Sequence, residues 1–229
     1  MNRKSALALA TLAVLATPAF AQTSPWYGGL AVGQSRTGGE LVTNRNSTVV
    51  GGTVTNSAFD DKDSGFRIFG GYRFLPWLGV ELNYADIGAS RLRTDVQTID
   101  APFNTGAVVL DRKISGFGAD LVFSAPLGER ASIFGRVGAV QSRLEANAKL
   151  SGLINFTSGN TLDRERTTTV NETVTRFGLG ADYMLSRNLG IRLDWERWLN
   201  VGKKFEIGGQ GTTGEADTDF YSVGVIYRF

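Results

Sequence analysis

The sequence closes on Phe220-Tyr221-Ser222-Val223-Gly224-Val225-Ile226-Tyr227-Arg228-Phe229. Every second residue back from Phe229 (Tyr227, Val225, Val223, Tyr221) is apolar or aromatic, whereas Arg228, Ile226, Gly224 and Ser222 share the other parity. A β-strand sends alternate side chains to opposite faces. This stretch therefore reads as an amphipathic strand, with one apolar face capped by rings and one smaller, wetter face. Such a face needs an apolar partner.

The same period recurs upstream. Alternating segments at about 26–36, 65–74, 78–89, 114–125, 132–144, 173–184 and 189–198 precede the closing strand, whereas helical periodicity is hard to find. In the second, Phe66, Ile68, Gly70, Tyr72 and Phe74 oppose Arg67, Phe69, Gly71 and Arg73. In the seventh, Ile191, Leu193 and Trp195 oppose Arg192, Asp194 and Glu196. Short connections near 75–77, 126–130 and 186–188 alternate with long polar ones at 37–64, 90–113, 145–172 and 199–217. An even number of strands joined by alternating short turns and long loops is the pattern of a membrane barrel. The expected fold is all-β: an eight-stranded antiparallel up-and-down transmembrane β-barrel, with odd strands running outward and even strands inward.

The N-terminus agrees with that compartment. Asn2-Arg3-Lys4 precedes an apolar run at 6–16 and an Ala19-Phe20-Ala21 cleavage motif, so 1–21 reads as a cleaved signal peptide and 22–229 as the barrel domain. The run is shorter than the ~20 residues of a spanning helix. Removing Arg3 and Lys4 from the 24 basic residues leaves 22 against 22 acidic, so nothing points to nucleic acid. Cys and His are both absent. That removes His-assisted serine and cysteine catalysis and the common zinc sites; no cofactor, metal site or enzymatic activity is expected. Asp60-Asp61-Lys62-Asp63 lacks the EF-hand spacing, and Gly208-Gly209-Gln210-Gly211 lacks the strand–helix setting of a phosphate loop.

Alternation alone leaves the inside undecided, because an exported lipocalin is the inverse arrangement with an apolar cavity. Aromatic residues separate the two. Trp26, Tyr72, Phe74, Trp77, Phe123, Tyr183, Tyr227 and Phe229 gather at the periplasmic end, where a lipid–water interface holds an aromatic girdle. The polar face mixes glycines with opposite charges: Arg67, Arg73, Arg136, Arg176 and Arg192 against Glu81, Asp120, Asp182, Asp194 and Glu196. A narrow lumen needs small residues beside large ones, and its charges must be paired.

Three stretches carry a resemblance. Gly70-Gly71-Tyr72-Arg73-Phe74-Leu75-Pro76-Trp77-Leu78-Gly79-Val80-Glu81-Leu82 resembles the second hairpin of the outer-membrane protein A transmembrane domain family. Gly180-Ala181-Asp182-Tyr183 through Gly190-Ile191-Arg192-Leu193-Asp194-Trp195 resembles its third periplasmic hairpin, and Val223 to Phe229 is similar to its closing strand. The resemblance implies a lumen closed by a salt-bridge network, with Glu81, Asp182 and Arg192 at its charged positions. Val122 and Ala31 stand where the family carries lumen lysines. It also implies that Tyr221, Val223, Val225, Tyr227 and Phe229 form the signal read by the outer-membrane assembly machinery. The family's peptidoglycan-binding domain has no counterpart in this sequence, so a stand-alone barrel is expected.

The expected function is structural: membrane integrity in the cell outer membrane of a Gram-negative bacterium, with surface loops available for adhesion or host contact. The alternative is a small gated ion channel through the charged lumen. Arg91, Arg93, Lys203 and Lys204, near the outer rim, are candidate contacts for lipopolysaccharide phosphates.

Overall fold

The computed structural model describes residues 24–38, 52–98, 105–152, 165–202, 205–207, 210–212 and 216–229. The signal-peptide reading, Lys203 and Lys204 lie outside them. The strands are β1 (Trp26–Thr37), β2 (Gly52–Asp60), β3 (Lys62–Leu75), β4 (Leu78–Thr98), β5 (Thr105–Pro126), β6 (Ala131–Gly152), β7 (Glu165–Met184), β8 (Leu189–Val201), β9 (Phe205–Ile207), β10 (Gln210–Thr212) and β11 (Ala216–Arg228). Eight of them form the ring β1-β3-β4-β5-β6-β7-β8-β11, every neighbour antiparallel, and β11 closes back on β1 from Tyr27↔Arg228 to Thr37↔Thr218. Closure leaves no unpaired backbone edge in the apolar band, the condition lipid imposes.

Alternation now has a direction. Leu30, Leu82, Phe117, Leu179 and Leu193 point outward, and Phe117 is 69% exposed. Arg67, Glu81, Arg136, Arg176, Arg192 and Glu196 point inward and are at most 3% exposed. Large apolar side chains outside and guanidinium groups inside are the arrangement for a surface solvated by acyl chains. The eight expected girdle residues all lie on the outer face at the turn end, with Trp26 packed edge-on against Tyr72 and Tyr227 against Phe229. Six residues from them along β3, β5, β7 and β11 stand Phe66, Phe117, Phe177 and Tyr221. Joined by Tyr84 and Trp195, these make a second, outer belt that the sequence reading did not separate from the first.

The long polar connections require correction. β4, β5, β6 and β7 run to 21, 22, 22 and 20 residues, whereas a crossing uses about ten. Much of what reads as loop at 90–113 and 145–172 is strand, and β2 and the β9–β10 hairpin add strands inside the other two. β2 continues β3 upward along β4, from Asp60↔Arg91 to Gly52↔Thr98. From Phe117 to Thr105, β5 rises roughly 40 Å along the strand beyond the outer belt. β1, β8 and β11 stop within 12 or 13 residues. Among the described residues the ring strands thus form one tall wall and one low side. Exposed ion pairs such as Arg91–Asp111 and Lys149–Glu165 stud the wall. There the Asn147 amide, and then Lys149, hold the Glu165 carboxyl below the usual carboxylate range.

Candidate functional site

The lumen is the candidate site, and its contents follow from strand parity. Each charged residue sits on an inward position of its strand: Arg67 and Arg73 on β3, Glu81 on β4, Asp120 on β5, Arg136 on β6, Arg176 and Asp182 on β7, and Arg192, Asp194 and Glu196 on β8. Arg73 is the least enclosed, 9% exposed at the periplasmic mouth.

Glu81 is the hub. One carboxylate oxygen accepts hydrogen bonds from Arg67 and from Arg136 Nη1, the latter at 3.2 Å. The other accepts from Arg192 Nη1 at 2.7 Å and from the Tyr27 hydroxyl at 3.2 Å. Asp194 Oδ2 takes Arg67 Nη1 at 2.5 Å together with Arg136 Nη2. Toward the periplasm, Asp182 receives two bonds from Arg192, at 2.7 and 3.0 Å, and lies 3.9 Å from Arg73. Toward the exterior, Asp120 receives Arg176 at 2.6 and 3.3 Å and Asn83 at 2.8 Å, while Glu196 Oε1 receives Arg176 at 3.5 Å and the Trp198 indole at 2.8 Å. The fork of arginine suits such bidentate and shared contacts, which lysine could not make.

Ring faces and missing side chains complete the packing. Arg192 lies 4.5 Å from the Phe69 ring centroid and 4.4 Å from that of Phe134, each close enough for cation–π attraction. A Cβ at Gly71 would overlap the Tyr27 ring, and one at Gly118 would meet Arg176 Nη2 at 2.5 Å. One apolar cluster packs among the charges and one lies beyond them. Tyr27, Phe69, Met184 and Ile226 form the first, with Tyr27 and Phe69 against Arg67, Arg73 and Arg192. Ala85, Ile87, Ile114, Val140, Leu144, Val174, Trp198, Val201 and Phe220 lie above. Ala31 and Val122 are buried among the inward residues.

The lumen thus brings all ten sequence-expected charges together. It also recruits Tyr27, Asn83 and Trp198, which sequence reasoning did not single out although their parity matches that of Glu81 and Glu196. Arg91 and Arg93 stand elsewhere, on the outward face of the tall wall, paired with Asp111 at 2.5 Å and Asp95 at 3.2 Å. Among the described residues no group of three His, Cys, Asp or Glu side chains converges as a metal site.

Comparison with known proteins agrees with this architecture. The family model for the outer membrane protein beta-barrel domain matches residues 7–229. Outer membrane protein A of Yersinia pseudotuberculosis is 27% identical over 232 residues, covering 99% of this chain and 56% of the relative. That of Klebsiella aerogenes is 28% identical over 231 residues, covering 99% and 55%. The chain spans a little over half the length of these relatives. Among solved structures, Neisserial surface protein A aligns with a TM-score of 0.49 and 14% identity, covering 90% of this chain and 98% of that one.

Proposed function

The chain belongs to the outer-membrane protein β-barrel family and lies in the bacterial outer membrane, and from that premise we propose that it is a closed structural barrel. It supports membrane integrity and holds a rigid polar wall above the outer surface. The observation that carries this reading is the filled lumen, in which an interlocked charge network is packed with aromatic rings and followed outward by an apolar cluster. An ion crossing it would have to displace paired guanidinium groups and then part the packed cluster around Trp198. Purified protein in planar bilayers should leave the membrane sealed, and deletion of the gene should increase uptake of large antibiotics. Discrete conductance steps from the unaltered protein would overturn the proposal in favour of a gated channel.

The carboxylates serve as ion-pair acceptors rather than as acids or bases, so the barrel is read as non-catalytic. The wall, with outward Thr167, Thr169, Asn171 and Thr173, offers a surface for adhesion or host contact. The closing strand supports an assembly role: the Phe229 amide donates to the Trp26 carbonyl at 3.1 Å, so the last residue helps seal the β1–β11 seam. The domain division at Ala21 is proposed with it, and N-terminal sequencing of the mature protein should begin at Gln22.

A further inference from the structure

The periplasmic mouth carries more positive charge than the network above it neutralises. Arg67, Arg136, Arg176 and Arg192 engage Glu81, Asp120, Asp182, Asp194 and Glu196 directly. Two further arginines stand on inward positions nearer the turns. Arg73 reaches only Asp182, at 3.9 Å, and the oxygen it faces already accepts Arg192 at 3.0 Å. The Arg228 guanidinium makes no hydrogen bond or ion pair among the described residues, and its Nε is buried without a partner. Six guanidinium groups thus share five carboxylates, and the surplus charge sits at this mouth.

Register brings the two arginines together. Arg228 pairs with Tyr27 across β11–β1, and Tyr27 with Gly71 across β1–β3; Arg73 stands two residues beyond Gly71 and shares its parity. Neighbouring strands lie ~4.8 Å apart and residues rise ~3.3 Å, which sets the two Cα atoms roughly 12 Å apart. Two extended arginine side chains can close such a gap onto one anion. Among the charges around Arg228, Arg73 acts on it most strongly, and repulsively. Both backbones are fixed: the Arg73 amide donates to the Pro25 carbonyl at 2.9 Å, and the Arg228 amide to that of Asn188 at 2.7 Å. The neighbouring strands bring no acid. Gly79 stands beside Arg73 on β4, and a Cβ there would meet Arg73 Cγ at 3.3 Å, so the glycine leaves room for the stem. Tyr27, between the two, already donates its hydroxyl to Glu81. Ser124, Ser132 and Met184, the inward residues across the mouth, are uncharged.

We propose that this mouth is a binding site for a phosphate-group anion, held between Arg73 and Arg228 on the periplasmic side. A carboxylate fills one arginine fork, whereas a tetrahedral phosphate presents oxygens to two forks approaching from different strands. Its charge offsets the surplus that the network leaves and screens the two cations from each other. The phosphate group comes either from a free periplasmic anion or from the phosphodiester of an inner-leaflet phospholipid, because the site lies level with the girdle residues Trp26, Tyr72 and Tyr227. The inference does not depend on whether the lumen is sealed.

The test titrates the refolded full chain in octyl glucoside micelles, which carry no phosphate, with inorganic phosphate at fixed ionic strength. Broadening of the phosphate resonance in phosphorus NMR reads binding, and heat-modifiable gel migration confirms a folded barrel in each sample. Arg73→Gln should bind about tenfold more weakly, since charge-assisted contacts are the strong ones. The Arg73→Gln/Arg228→Gln double variant should show no saturable binding. Arg187→Gln, exposed in a turn at the same end, should change nothing. The single variant leaves the closing strand untouched, so it carries the test if the double variant does not fold. Repeating the titration in phosphatidylglycerol nanodiscs separates the two sources: binding abolished there assigns the site to the lipid headgroup, and binding retained assigns it to a free anion. Absence of saturable binding in micelles, unchanged binding by Arg73→Gln, an equal loss from Arg187→Gln, or full displacement by equimolar acetate overturns the proposal.

Discussion

Replacing Glu81 by Ala tests the lumen at its hub. The Glu81 carboxylate is fully buried and accepts bonds from Arg67, Arg136, Arg192 and Tyr27. Four bonds to the ionised carboxylate at about 2 kcal/mol each set an upper bound near 8 kcal/mol. The actual loss should be smaller, because each cation keeps an acid. Arg67 and Arg136 retain Asp194, and Arg192 retains both bonds to Asp182. Breaking a buried pair while leaving its partner in place costs about 3–5 kcal/mol, so a loss of about 4 kcal/mol is expected. Urea unfolding of the barrel refolded into vesicles, followed by tryptophan fluorescence, measures it. Glu81→Gln should cost about half as much, since one amide oxygen still accepts. Adding Arg136→Met to Glu81→Ala should recover about 1–3 kcal/mol by removing a cation that has lost a neighbour. A loss below about 1 kcal/mol for Glu81→Ala, with no recovery in the double variant, would refute the view that these charges form one interlocked layer.

Three other perturbations address different parts of the structure. Trp198→Ala removes the largest buried ring of the outer apolar layer and the indole donor of Glu196; it should cost about 3–5 kcal/mol and raise bilayer conductance above the sealed baseline. Replacing residues 92–110 of the β4–β5 hairpin by a two-residue Asn-Gly turn between the paired Arg91 and Asp111 should leave heat-modifiable migration intact, because the lumen charges and both aromatic belts lie below the cut. Phe229→Ala should slow insertion into vesicles severalfold, read by the gel-shift time course, with little change in the unfolding midpoint of barrels that do insert.

Much of the fold was legible because its cause is local. A strand has period two, lipid rewards an apolar face, and a narrow lumen rewards small and paired residues, so the outward assignment of Leu82, Phe117 and Leu193 and the inward assignment of Arg67, Glu81 and Arg192 need only parity. The strands cease to be legible in the sequence where that cause ends. High on the wall both faces meet water, so stretches such as Thr167-Thr168-Thr169, exposed on both sides, satisfy a sheet without any apolar alternation. A partial signal remained in the inward residues Leu92, Leu110, Leu144 and Val170, where the register pairs Leu92↔Leu110 and Leu144↔Val170 across neighbouring strands.

Composition and alternation by themselves determined the compartment, the number of ring strands and the sign of each face, since each depends on residues within one strand. Only the tertiary structure decided who pairs with whom. Arg67 meets Glu81 from the neighbouring strand but Asp194 from across the lumen, 127 residues away. Such contacts depend on ring closure and on the stagger between strands, which no single segment encodes. The low side obeys the same reason: Arg36, Asp219 and Arg197 come together because β11 closes the circle between β1 and β8.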